Sequence, residues 1–216
     1  GYENNPWNYK FTWNPRNVVL AGYDGARFLH NGKFKYIPYH KVFRRIETIQ
    51  VPELGAFEVY GNRDSLTYRE TYGLHNLETM FRGTIRRPGF CEAWDIFVQL
   101  GATDDSYVME DTENMTYREF INSFMAYETE IPVDIKLARY LDFEEDSSMM
   151  ERLHWLGIFD NTRIGVAGLT PAKILQKILV EKWKLEPEDK DMIVMQHQFD
   201  FEKEGSWKKR YSTIVY

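Results

Sequence analysis

Phe81-Arg82-Gly83-Thr84-Ile85-Arg86-Arg87-Pro88-Gly89-Phe90 is the decapeptide from which the rest of this 216-residue chain can be read outward. It closes a run over residues 77–85 in which Leu77, Thr79 and Phe81 alternate with polar or smaller residues, a pattern that predicts a strand. Pro88-Gly89 is a turn, and beyond Phe90 the apolar residues recur at helical spacing. The stretch is therefore a strand, a turn and the start of a helix. Its three arginines, separated by a glycine and a threonine hydroxyl, form a compact set of donors. A guanidinium is a planar fork that engages a carboxylate or phosphate two bonds at a time. On a chain of formal net charge −6 the group reads as a local anion site rather than a general basic surface. The competing reading is that these arginines are solvated or paired with the abundant carboxylates.

Upstream, Asn14-Pro15 combines a capping side chain with proline at the first helical position, and Val18, Val19 and Ala21 extend a short helix to Gly22. The start of that helix either helps hold an anion or is simply structural. From Ala26 the period changes to two. Residues 27–37 read as a hairpin around Asn31-Gly32, and 46–51 and 56–60 as two further strands across a Pro52/Gly55 turn. Residues 65–72 suggest a short helix.

Downstream, Trp94, Ile96, Phe97 and Leu100 make an amphipathic helix that stops at Gly101. Thr116-Tyr117-Arg118-Glu119 is a capping box. Further helices are expected over 135–141 and 149–156, and another opens at Thr170-Pro171 with Ile174, Leu175, Ile178 and Leu179 on one face. The period of two returns at 192–201 and 209–216, around a turn at Glu204-Gly205-Ser206. The fold class expected is α/β of the α+β kind: a mixed, partly antiparallel sheet with a helical insertion. Residues 1–89 form the first part of the sheet domain, 90–187 the insertion and 188–216 the returning strands.

The bulk numbers exclude several roles. The acidic balance argues against an undirected nucleic-acid or membrane-surface function, and no apolar run is long enough to span a bilayer. The single cysteine, Cys91, rules out an internal disulfide and fits a reducing, cytoplasmic setting. It lies in an apolar helical pattern and reads as packing rather than as a nucleophile. There is no GxGxxG, no GxxxxGK[ST] and no GxSxG, and the five histidines show no metal-ligand spacing, so no cofactor or metal site is expected in these residues. Gly165-Val166-Ala167-Gly168 reads as loop geometry.

Asn4-Asn5-Pro6-Trp7-Asn8-Tyr9-Lys10-Phe11-Thr12-Trp13 resembles the NNPxGYKFSW segment of saccharopine dehydrogenases of the glutamate-forming type. Gly61-Asn62-Arg63-Asp64-Ser65 resembles their PNRDS segment, and residues 81–90 their RGTLRYPGF segment, in the same order and at similar spacing. The departures are Asn8 for glycine, Thr12 for serine and Arg87 for an aromatic residue. The resemblance implies a substrate-binding and dimerisation region whose nucleotide-binding Rossmann lobe lies outside this sequence. The reaction implied is oxidation of saccharopine by NAD or NADP, with hydrolysis to glutamate and aminoadipate semialdehyde; the isolated fragment would not turn over. By the same resemblance Arg63 and Arg82 clamp substrate carboxylates, Thr84 adds a hydroxyl, and Thr12, Trp13 and Asn5 line the wall. Arg86 and Arg87 are secondary candidates. Asp64 either pairs with Arg63 or caps the helix at Ser65. No proton-transfer residue follows from these residues. The partners implied are a small amino-acid substrate, the Rossmann lobe and a second copy. Arg87 keeps open another carboxylated secondary amine, such as a carboxy-polyamine, and a non-catalytic dimerisation or ligand-sensing module is the remaining alternative.

Overall fold

Asn14 accepts a hydrogen bond from the Arg16 amide and Pro15 presets the backbone, so helix α1 (Pro15–Val19) starts where expected but ends before Gly22. A computed structural model describes residues 4–216; of the extended chain or loop that the polar, aromatic residues 2–10 with their proline predict, Tyr2 and Glu3 lie outside the described residues. Strands β1 (Ala26–His30) and β2 (Lys33–Ile37) pair antiparallel. Asn31 and Gly32 between them sit at φ 48° and 70°, as a tight primed turn requires. β3 (Ile46–Val51) and β4 (Gly55–Gly61) form a second antiparallel pair. The two-residue strand β5 (Arg63–Asp64) then runs parallel to β1, and α2 (Thr67–Thr71) follows it. β6 (Gly83–Arg86) pairs with β4. Two three-stranded sheets result, ordered β2-β1-β5 and β3-β4-β6. The class is the mixed, partly antiparallel α+β fold.

The expected strand over 77–85 is shorter. Only Gly83–Arg86 joins a ladder, and Met80 makes an isolated bridge to Leu29. Residues 78–82 are held by scattered bonds: Gly32 donates to the Glu78 carbonyl at 2.8 Å and Asn62 to the Arg82 carbonyl at 3.0 Å. Phe81 stands edge-on to Phe28 at 5.2 Å. The alternating pattern thus reports one side chain tucked onto β1 rather than a continuous strand.

Glycine at position 83 is a matter of space. A Cβ there would lie 2.3 Å from Val59 Cγ1, so the RGT glycine lets β6 close against β4.

The helical part follows its sequence signals closely. α3 (Phe90–Leu100) buries Phe90, Trp94 and Phe97 and ends at Gly101 in the left-handed conformation, φ 85°. Thr116 and Glu119 complete the capping box of α4 (Tyr117–Asn122). α5 (Val133–Leu141), α6 (Ser148–Leu156) and α7 (Pro171–Lys182) follow, the last capped by Thr170. Trp183, fully buried behind α7, meets Tyr9, Phe11 and Trp7 at centroid distances of 5.0, 5.2 and 5.3 Å. An aromatic cluster thereby ties the N-terminal segment to α3 and α7.

The Thr170 hydroxyl also donates to Asp105 at 2.6 Å, and Arg16 pairs with the same carboxylate, joining α1 to the start of α7. The Thr170 bond, then Arg16, hold the Asp105 carboxyl below its ordinary range against partial burial. A depressed pKa contributes stability that is present above the unfolded value and lost as pH falls through the folded one. The stability advantage of the natural chain over Asp105→Asn is therefore expected to be full at neutral pH and to shrink below about pH 4. Urea titrations at pH 7 and pH 3 read it, and an equal gap at both would refute the linkage.

β7 (Val194–Lys203) and β8 (Ser206–Val215) pair along their whole length around Glu204-Gly205. These returning strands form a ladder with each other and with neither three-stranded sheet. Gln196 touches the body, donating to the Gln50 carbonyl at 3.2 Å. Few side chains of this ribbon reach any partner surface: Phe199, Trp207 and Tyr211 are all exposed.

Candidate functional site

Gly61 and Gly83 are partners in the β4–β6 ladder, so the chain just beyond Gly61 runs beside the chain just before Gly83. This brings the Asn62-Arg63 and Arg82-Gly83-Thr84 segments together from twenty residues apart in sequence. Asn62 Nδ2 donates to Thr84 Oγ1 at 2.8 Å, and the Arg82 amide donates to Ser65 Oγ at 2.9 Å. Arg63 has φ 52°, an uncommon conformation for a side-chain-bearing residue, and its guanidinium is exposed with Asp24 3.9 Å away. Arg82 is also exposed, its guanidinium 5.4 Å from the centre of the Tyr68 ring.

Asp64 does not pair with Arg63. Its carboxylate accepts from the Leu66 amide and the Thr67 hydroxyl, both at 2.8 Å, and pairs with Arg27 at 2.8 Å. Burial acts to raise its pKa, but those bonds and the Arg27 charge bring it below the ordinary value. It is a cap for the turn into α2.

Arg86 proves more central than its secondary rank in the sequence. The end of β6 places its guanidinium 5.0 Å from the Tyr9 ring centre and 5.2 Å from that of Phe90. It also contacts the hydroxyl of the buried Tyr60, which reaches Thr84 as well. Its Nε is buried without a hydrogen-bond partner, and among the described residues no carboxylate forms an ion pair with it. Burial pushes the Tyr60 and Tyr9 hydroxyls up, and the positive charge of Arg86 opposes the rise at both. Trp13, exposed, lies close enough to the Tyr9 hydroxyl to oppose that rise as well. Trp13, Tyr9, Arg86, Tyr60, Thr84 and Asn62 thus follow one another along a single path, anchored by the Arg86–Tyr9 ring contact and the Asn62–Thr84 hydrogen bond, with Arg63 and Arg82 as chain neighbours of its far end.

The remaining sequence candidates stand apart from that path. Asn5 uses both ends of its amide locally, donating to the Tyr9 carbonyl at 3.0 Å and accepting from the Trp7 amide at 2.9 Å. It shapes the turn that presents Tyr9. Thr12 is exposed beside Trp13. Arg87 lies over Phe57 at 4.5 Å and donates to the Leu54 carbonyl at 2.9 Å, away from Tyr9 and Tyr60. The start of α3, behind the Pro88-Gly89 turn, is filled by the protein itself: Glu58 accepts from the Gly89 amide at 2.6 Å and the Cys91 amide at 3.0 Å. Burial and this carboxylate both push the Cys91 thiol up, so it is an inert packing group.

Tyr9 and Tyr60 were missed as site residues by the sequence reading. Tyr9 lies inside the first motif and Tyr60 directly precedes the second. Among the described residues no group of three His, Cys, Asp or Glu side chains is placed to hold a metal ion, and no helix is long and apolar enough to cross a membrane. What the arrangement can do is accept carboxylates, through three guanidinium groups set beside amide and hydroxyl donors.

Fold and site together define an α+β lobe with a cationic, aromatic-lined strip along one sheet. The profile of the saccharopine dehydrogenase C-terminal domain matches residues 1–216, and the chain belongs to that family. It is 30% identical over 221 residues to the Schizosaccharomyces pombe saccharopine dehydrogenase [NADP(+), L-glutamate-forming], covering 98% of this chain and 49% of that protein. It is 33% identical over 202 residues to the Bos taurus mitochondrial alpha-aminoadipic semialdehyde synthase, covering 90% of this chain and 22% of that protein. Among solved structures, the apo histidine-tagged L-Glu-forming saccharopine dehydrogenase from Saccharomyces cerevisiae superimposes with a TM-score of 0.83 at 26% identity. That match covers 99% of this chain and 49% of the solved one. The chain thus spans about half the length of the fungal relatives.

Proposed function

We propose that this chain is the substrate-binding and dimerisation region of a saccharopine dehydrogenase-like oxidoreductase that uses NAD or NADP. The observation that carries the reading is Arg86, a guanidinium packed among Tyr9, Phe90 and Tyr60 with an unused donor and no carboxylate among the described residues paired to it. With Arg63 and Arg82 nearby it forms a cationic set suited to a substrate with several carboxylates, and saccharopine carries three. NAD or NADP, held by another part of the parent protein, would supply the hydride acceptor for oxidation at the carbon beside the secondary amine. The resulting imine is hydrolysed to glutamate and aminoadipate semialdehyde. The present residues hold and orient the substrate, and orientation accounts for much of such a rate. The 216-residue chain alone is expected to show no turnover.

NAD(P)H formation by the full-length parent supplied with saccharopine tests the reading. Arg63→Ala and Arg82→Ala in that protein are each expected to weaken saccharopine binding by about 1.5–3 kcal/mol, the worth of one charge-assisted contact. Calorimetry reads the affinity, and unchanged binding in both variants would sink the pocket assignment. A folded, nucleotide-bound parent that ignores saccharopine would shift the reading to another carboxylated secondary amine.

A further inference from the structure

A cavity of about 160 Å³ opens in the helical part, partly exposed to solvent and built from three elements. Arg118 reaches it from the first turn of α4, Val133 and Asp134 from the start of α5, and His154 from α6. Phe159 and Asp160, in the turn after α6, complete the wall. Local bonds fix this arrangement. The Arg118 amide donates to the Asp160 carbonyl at 3.0 Å, and Arg118 Nε donates to the Phe159 carbonyl at 2.8 Å. With Nε used, the two terminal nitrogens form a free fork, and among the described residues neither makes a hydrogen bond or ion pair. Gly157 ends α6 at φ 75°, and the Asp160 carboxylate fills the space beside it, its Oδ2 2.7 Å from where a Cβ would lie. Among the described residues that carboxylate also takes no hydrogen bond or ion pair. Asp134, by contrast, stands 3.5 Å from His154 Nε2, and the His154 ring leans on Phe159 at 4.8 Å. A cation and an anion thus line one cavity, are tied together through the backbone, and do not pair.

The charges select the ligand. A bare anion would gain Arg118 but meet two carboxylates, and a bare cation would meet the guanidinium. A metal ion lacks its donors, since among the described residues no group of three His, Cys, Asp or Glu side chains is placed to hold one. An apolar molecule would strip water from charged groups and return nothing. The volume lies below the roughly 300 Å³ at which pockets for drug-sized ligands begin, so a nucleotide is too large. A small zwitterion meets each objection. We propose that this cavity binds a single free α-amino acid with an apolar side chain, its carboxylate on the Arg118 fork, its ammonium on Asp160 and its side chain against Val133 and Phe159. Both polar contacts are charge-assisted, and a guanidinium fork takes a carboxylate two bonds at a time. The cavity shares no residue with the strip of Arg63, Arg82 and Arg86, and the proposal does not rest on the function assigned to that strip. An occupant joins α4, α5 and the end of α6, so the helical part gains stability as ligand concentration rises.

Calorimetric titration of the 216-residue chain with L-leucine tests the site. One leucine per chain is expected, with a dissociation constant of about 1 mM or tighter and a thermal midpoint that climbs with leucine. Isocaproate, which lacks the ammonium, and isoamylamine, which lacks the carboxylate, should each bind at least about tenfold more weakly, because one charged partner is lost. Asp160→Asn alters a side chain that bonds nothing in the protein, so it keeps the fold and should weaken leucine by about the same factor. Arg118→Gln should do likewise, and Arg86→Gln should change nothing. A constant above about 1 mM in the natural chain would mean that these charges are merely solvated and would overturn the site. Binding that survives Asp160→Asn and is lost in Arg86→Gln would put leucine on the strip, which also overturns it. Isocaproate held as tightly as leucine would overturn the zwitterion and the role of Asp160.

Discussion

Trp183→Ala is expected to cost about 4 kcal/mol of folding stability, in the range for truncating a fully buried large aromatic residue. Its ring packs against Trp7, Tyr9, Phe11 and Trp94 at 5.3, 5.0, 5.2 and 6.0 Å, so one deletion opens a void shared by three segments. The Phe11 amide also donates to the Trp183 carbonyl at 2.9 Å, a bond that alanine keeps, so the loss isolates packing. Trp183→Phe is the informative companion. The indole Nε1 is buried without a partner, and removing an unsatisfied donor offsets part of the lost contact, leaving a cost of about 1 kcal/mol. Urea denaturation of both variants reads the difference. Equal losses would mean that the ring's outer edge, rather than its bulk, holds the cluster. The effect extends to the candidate site, because Tyr9 touches both Trp183 and Arg86. In the full-length protein Trp183→Ala should therefore also loosen substrate binding.

Much of the architecture was written locally. Capping signals at Asn14, Thr116 and Thr170 act within four residues, and each one appears in the structure. The Asn31-Gly32 turn demands two left-handed residues, which few other pairs supply, so the hairpin was readable without knowledge of its surroundings. What failed to show was decided at long range. Whether 77–82 joins a ladder depends on the length of β1, and Phe81 alternates correctly while packing onto Phe28 from a loop. The closing strands gave no sign that they would form a ladder only with each other, since pairing partners leave no mark in a period of two.

The candidate site divides in the same way. Motif order placed Arg63, Arg82 and Thr84 near one another, and the Gly61–Gly83 pairing gives the physical reason. Arg86 and Arg87 were indistinguishable as adjacent arginines. The strand separates them, sending one to Tyr9 and Tyr60 and the other to Phe57 and Leu54. Asn5 looked like a wall residue because it sits in a motif, yet its amide is consumed by the turn it stabilises.

The same reasoning explains why the Pro88-Gly89 helix start cannot serve as an open anion site, and it yields the second large effect. Glu58 stands opposite Arg86 in the β4–β6 ladder and extends its carboxylate to the first amides of α3. A negative group there satisfies two donors that the helix itself cannot pair and complements its positive end. Glu58→Ala is expected to lose about 3–4 kcal/mol, since both amides then lack a partner beneath Phe90 and Cys91. Glu58→Gln retains one acceptor without the charge and should lose about half as much. A fall below about 1 kcal/mol for alanine in urea denaturation would mean that water replaces the carboxylate and that the cap is dispensable. The variant also separates structure from binding. Removing this anion leaves Arg86 with less negative charge around it, so any folded Glu58→Gln protein should hold a carboxylate ligand at least as well as the natural chain.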